Sequence, residues 1–137
     1  MNQSRGQVLR PARIEARDRG SGVSTIPLVS RATGSTTIMS GITVFSGGAG
    51  IPRHFHNCEE CVQVLEGNAT AEIDGVEHSL GPGDTSFIPA GIPHRFRNAS
   101  TIKRMRIYWT YASIDATRTI VETGKTTRIE CELGLVE

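Results

Sequence analysis

From residue 22 onward, Gly, Pro, Asn or Asp breaks the chain about every eight to twelve residues. No stretch between breaks sustains a 3.6-residue apolar period, so long helices are excluded. The intervening runs are short, β-branched and apolar, at 23–29, 36–45, 60–65, 69–73, 76–80, 85–88, 94–97 and 103–111. Such spacing predicts an all-β sandwich or barrel in a single domain. Asp74-Gly75, set between two alternating runs, predicts a tight hairpin, because a type I′ turn needs positive φ at both central residues.

Charge and composition narrow the function classes. The 15 Lys+Arg and 14 Asp+Glu nearly cancel, so no general attraction to nucleic acid or to a membrane surface is expected. No apolar run has the length of a membrane span or of a signal peptide, so a cytoplasmic protein with reduced cysteines is expected. Arg5, Arg10, Arg13, Arg17 and Arg19 crowd the segment 1–22, which reads as an arm or edge strand with a subunit contact in preference to a nucleic-acid arm. Residues 23–115 are expected to form the barrel. Residues 116–137 are expected to add one or two strands or to pack irregularly against it.

Three of the four histidines and one glutamate form a pattern. His54 and His56, spaced i, i+2, point to one face of an extended chain. Glu60 opens an apolar run and shares a face with Val62 and Val64. His94 follows the rigid turn Pro89-Ala90-Gly91-Ile92-Pro93 and shares its face with Phe96 and Asn98. Three imidazoles and a carboxylate aimed into a barrel suit a divalent transition metal, with one or two coordination positions open to a substrate or oxygen.

The spacing Gly48-x5-His54-x-His56-x3-Glu60-x6-Gly67 resembles the first motif of the cupin family at every defined position. Gly83-x5-Pro89-x-Gly91-x2-His94-x3-Asn98 resembles the second motif as fully, after a spacer typical of compact single-domain cupins. The two motifs span residues 48–98. The resemblance implies a double-stranded β-helix, or jelly-roll, barrel in which His54, His56, Glu60 and His94 bind one Mn, Fe, Ni, Co, Cu or Zn ion per chain. It also implies a homodimer, since family members often pair terminal strands. Asn98 is expected to tie a neighbouring turn through its side-chain amide.

Other residues carry less chemistry. His78 sits on a hairpin strand with no partner ligand at metal spacing and reads as a packed or surface side chain. Cys58-x-x-Cys61 lacks the second pair that a zinc clip needs, since only Cys131 remains, so local packing is expected. Alternation puts Trp109 and Tyr111 on one face and Tyr108 on the other, without saying which faces inward. Phe45, Phe87 and Phe96 are expected to make the cavity apolar, with Gln63 turned away from Glu60.

A barrel and a metal do not name a reaction. The first expectation is an enzyme acting on a small oxygen-rich molecule, as a dioxygenase or as a Lewis-acid isomerase, decarboxylase or lyase. The alternative is a non-catalytic barrel that binds or senses a small ligand.

Overall fold

In a computed structural model, which describes residues 5–135, twelve strands form two six-stranded antiparallel sheets. The first sheet runs in the order β1 (Arg17–Asp18), β2 (Val23–Pro27), β3 (Met39–Phe45), β10 (Met105–Tyr111), β5 (Glu60–Glu66), β8 (Thr85–Ile88). The second runs β12 (Thr126–Arg128), β11 (Thr117–Ile120), β4 (His54–His56), β9 (His94–Asn98), β6 (Ala69–Ile73), β7 (Val76–Leu80). The sheets enclose a core that includes Met39, Phe45, Val64, Ile88, Phe96 and Met105. This is the all-β architecture expected from the punctuated sequence, in the jelly-roll form that the cupin resemblance implied. Residues 1–4 and 136–137 of the two terminal segments lie outside the described residues.

Alternation accounts for most of the inner wall. Along β10, Met105, Ile107, Trp109 and Tyr111 are buried while the residues between them are half-exposed. β5 buries Glu60, Val62 and Val64, and β9 buries His94, Phe96 and Asn98. Asp74 (φ 51°) and Gly75 (φ 81°) both take the left-handed region, as the predicted hairpin between β6 and β7 requires.

Several strands start later than their apolar runs, because side chains take up backbone groups that a ladder would need. The Ser35 hydroxyl bonds both the Ile38 carbonyl (2.6 Å) and the Ile38 amide (3.1 Å), and β3 begins at the next residue. The Asn98 amide likewise donates to the carbonyl of Lys103 (2.6 Å), and β10 begins at Met105. Asn98 also donates to Phe45 O (3.2 Å) and Ser46 O (3.1 Å) and accepts from Ser100 N (3.0 Å). It therefore joins the end of β3 to the loop between β9 and β10 from a fully buried position. Asn98→Ala leaves those carbonyls unpaired and is expected to lower unfolding free energy by about 2–3 kcal/mol in a urea titration.

The tail beyond residue 115 is ordered as two strands and one helical turn, α1 (Ile129–Glu132). β11 pairs with β4 in the register Arg118↔His56 and Ile120↔His54, which brings the tail against the histidine strand. Glu130 of α1 is buried between Arg31 (3.1 Å) and Arg128 (2.6 Å). The contact with Arg31 ties the tail to the segment ahead of β3, and the one with Arg128 braces the tail itself.

Candidate metal centre

Neighbouring strands deliver the four sequence-predicted side chains to one place. His54 and His94 are direct cross-strand partners on β4 and β9, and His56 follows two residues along the same face of β4. Glu60 arrives from the opposite sheet. All four are buried, with 1–6% of each residue exposed. The possible ligand atoms of the three histidines lie within 4.8 Å of one another. Glu60 Oε1 stands 3.0 Å from His94 Nε2 and 3.3 Å from His56 Nε2. Nitrogen and oxygen ligands sit about 2.0–2.2 Å from an ion and thus about 3–4 Å from each other, which is the scale seen here.

The outer nitrogens decide the tautomers. Nδ1 of His54 faces Pro52 O at 2.7 Å, Nδ1 of His56 faces Thr117 O at 2.9 Å, and Nδ1 of His94 faces Ile92 O at 2.9 Å. A carbonyl only accepts, so each Nδ1 must carry the proton and donate it. In a neutral ring this leaves Nε2 as a bare lone pair aimed inward, which is how a ligating histidine is held. His56 Nε2 is buried without a hydrogen-bond partner among the described residues. An inward lone pair beside a carboxylate calls for a shared cation, so these residues fit a metal.

The local electrostatics agree. Burial, reinforced by Arg118 and the other two imidazoles, pushes His54 well below the usual imidazole value and keeps it neutral. Burial alone would raise the Glu60 carboxyl, but its two inward neighbours, His56 and His94, hold it well below the usual carboxylate range. Glu60 thus stays ionised.

The cavity beside these residues is lined by Val62, Phe96, Ile107 and Trp109 on its apolar side and by Tyr111 and Arg118 on its polar side. It has room for about 20 Å³, roughly one water molecule. Trp109 and Tyr111 face inward, which settles the alternation that the sequence left open, and Tyr108 faces outward half-buried. Tyr111 packs against the His56 ring at a tilt of 59°, centroids 4.7 Å apart, and lies directly across from Glu60. Burial first, then the Glu60 charge, raise its phenol well above the usual tyrosine value, so the O–H stays on.

Phe96 lines the cavity as expected, whereas Phe45 is buried in the core without lining it and Phe87 is not a pocket residue. It is 62% exposed, because β8 turns Ser86 and Ile88 inward and presents Phe87 to the outside beside Cys61. His78 lies on the exposed β7. All three cysteines are free, with Cys61 exposed on the outer face and Cys58 half-buried.

Arg118, Glu132 and Arg19 line the same cavity and were not singled out as site residues from the sequence. Arg118 sits in a β-branched run with Ile120 on its face, a weak signal for an inward strand. Only the pairing of β11 with β4 reveals that it lies beside His56.

Residues 41–111, just over half of the chain, match the family model described as the Cupin domain. The chain is a cupin. It is 32% identical over 93 residues to Protein SchB of Streptomyces halstedii, covering 67% of both proteins. It is 36% identical over 92 residues to Quercetin 2,3-dioxygenase of Bacillus subtilis, covering 65% of the cupin but only 26% of that longer enzyme. Among solved structures, the cupin superimposes on the polyketide cyclase RemF of Streptomyces resistomycificus with a TM-score of 0.72 at 21% identity, covering 90% of the cupin and 85% of RemF. At that identity the likeness speaks for the jelly-roll fold alone. No helix among the described residues is long and apolar enough to cross a membrane.

Proposed function

We propose that this cupin is a metal-dependent enzyme that activates a small, oxygen-rich organic molecule, with His54, His56, Glu60 and His94 holding one divalent transition ion. The observation that carries this reading is the commitment of all three Nδ1 atoms to carbonyls, which leaves three inward Nε2 lone pairs around an ionised carboxylate. When bound, the ion would supply Lewis acidity to the substrate's oxygens.

The chain's own residues contribute the rest. Trp109, Phe96, Ile107 and Val62 exclude water and strengthen every polar contact inside. Tyr111 holds a phenol proton beside His56 and Glu60, where it can be donated to an oxygen that gains charge. A protein acid beside the ligands favours proton-transfer chemistry, namely enolisation followed by isomerisation, cyclisation or loss of a group. Enolisable dicarbonyls and hydroxylated aromatics are the substrate class that such a site recognises. The second reading, a dioxygenase, is supported by the sequence similarity to Quercetin 2,3-dioxygenase.

Untagged protein, purified without added metal and assayed by mass spectrometry, is expected to carry close to one ion per chain, absent from a His54→Ala/His94→Ala double variant. Preparations loaded with zinc, manganese or iron would then meet 1,3-dicarbonyls and catechol-like acids in deuterated buffer. Deuterium entering the substrate without oxygen uptake identifies the proton-transfer enzyme, and oxygen uptake matching substrate loss identifies the dioxygenase. Neither outcome with a loaded site would overturn the enzyme reading in favour of a non-catalytic binding barrel. The same reading keeps the chain cytoplasmic and takes the Arg-rich segment as a homodimer contact. Support for the latter is that β1 is the edge strand of its sheet with both residues exposed.

A further inference from the structure

We infer that Arg118 is the anchor for an anionic oxygen of the substrate, so that this cupin selects organic anions carrying a carboxylate or enolate a short distance from their metal-binding oxygen. The inference deepens the proposed function and rests on it for the oxygen that faces the ion. Arg118 is 6% exposed, lines the cavity with His54, Glu60 and His94, and lies across from His56 in the sheet. Its Nε is buried without a hydrogen-bond partner among the described residues. The nearest acidic oxygen, Oε1 of Glu132, is 3.5 Å away and is already shared with Arg19 at 3.2 Å. A buried guanidinium donor without a partner, on a residue that lines a ligand cavity, is costly unless something fills it.

The charge balance of the site points the same way. The guanidinium groups of Arg19 and Arg118 are matched by the carboxylates of Glu60 and Glu132, and imidazoles that ligate an ion through Nε2 add no charge. A divalent ion would leave this set with two uncompensated positive charges in a low-dielectric cavity, a strong attraction for one or two anionic oxygens. The approach is also basic. A surface groove of about 480 Å³, lined by Arg19, Arg95, Arg97, Gly50, Ile51 and Pro52, shares Arg19 and Ile51 with the cavity lining. Arg19 lines both and bonds Glu132 at 3.2 Å, and since the cavity holds about one water, an anion that reaches Arg118 has to displace that pair.

Trp109 is the sole tryptophan and lines the cavity, so its fluorescence reports on what enters. The test titrates acetate, as the smallest organic carboxylate, into zinc-loaded protein in a non-carboxylate buffer, with zinc measured in every sample. Arg118→Gln is expected to weaken acetate about tenfold or more at unchanged zinc content, with Arg118→Lys between the two. Glu132→Gln removes the competing carboxylate and is expected to tighten acetate about threefold or more, which a merely structural salt bridge would not do. Acetate affinity within twofold of the unaltered protein in folded Arg118→Gln overturns the inference. Should Arg118→Gln fail to fold, Glu132→Gln decides, and unchanged or weaker binding there overturns it. If the unaltered protein retains no zinc, the metal reading falls instead, and the same comparison on metal-free protein still decides the role of Arg118.

Discussion

His94→Ala is expected to reduce bound metal from about one ion per chain to less than a tenth of that, and to abolish metal-dependent turnover. The ring is the hub of the cluster. Its Nε2 is 3.0 Å from Glu60, its Nδ1 is tied to Ile92, and its centroid lies 4.4 Å from His54 and 5.1 Å from His56. Removing an outer partner of a ligand typically costs about 10–100-fold in metal affinity, and removing the ligand itself costs more. The loss also has a thermal signature. Metal present at about 1,000 times its dissociation constant stabilises the folded chain by about 4 kcal/mol, which for a domain of this size is roughly 10–15 °C in Tm. Added zinc should produce that shift in the unaltered protein and almost none in His94→Ala. Equal metal content in the two proteins would mean that the ion, if any, sits elsewhere.

Much of this architecture is legible in the residues themselves. Punctuation by Gly, Pro, Asn and Asp marks the strands, and the two-residue period on β5, β9 and β10 names the buried face. The ligand cluster is readable because i, i+2 spacing in His54-x-His56 fixes a common direction whatever the partner strands are. Phe87 marks the limit of that logic. Aromatic residues belong to cores on average, but alternation from Ile88 turns Phe87 outward, and hydrophobicity alone does not say which of two neighbouring apolar residues wins. Arg118 and Glu132 are harder still. Their place beside the histidines comes from the register of β11 on β4 and from the turn of α1, which are long-range pairings with no local pattern. A lone Arg in a β-branched run looks like any solvated strand residue until the neighbouring strand is known. The chemistry nearest the chain's repeating period is therefore visible, and the chemistry supplied by the tail is not.

Trp109→Ala is expected to destabilise the barrel by about 3–5 kcal/mol, as large-to-small changes of buried aromatics do. Trp109 is 4% exposed, and its indole nitrogen donates to Thr43 Oγ1 at 2.9 Å, so the change opens a cavity and also removes one of that hydroxyl's two bonds, leaving the one to Thr25 Oγ1 at 3.3 Å. The site it fills is shaped by its neighbours across both strands, Gly41 on β3 and Val62 on β5. A Cβ at Gly41 would come within 2.5 Å of the indole ring and 2.8 Å of the Ile26 carbonyl, so the ring lies over bare backbone. Gly41→Ala should therefore be destabilising on its own. Shrinking the ring relieves only the contact with the indole, because Ile26 O stays in place. Gly41→Ala in a Trp109→Phe background should then cost less than in the unaltered protein, by about 0.5–3 kcal/mol of coupling between residues in contact. Urea unfolding of the four proteins, followed by far-UV circular dichroism so that loss of the tryptophan does not matter, measures this coupling. Strict additivity would show that the glycine serves the Ile26 side alone and that the indole does not set the inner wall at this position.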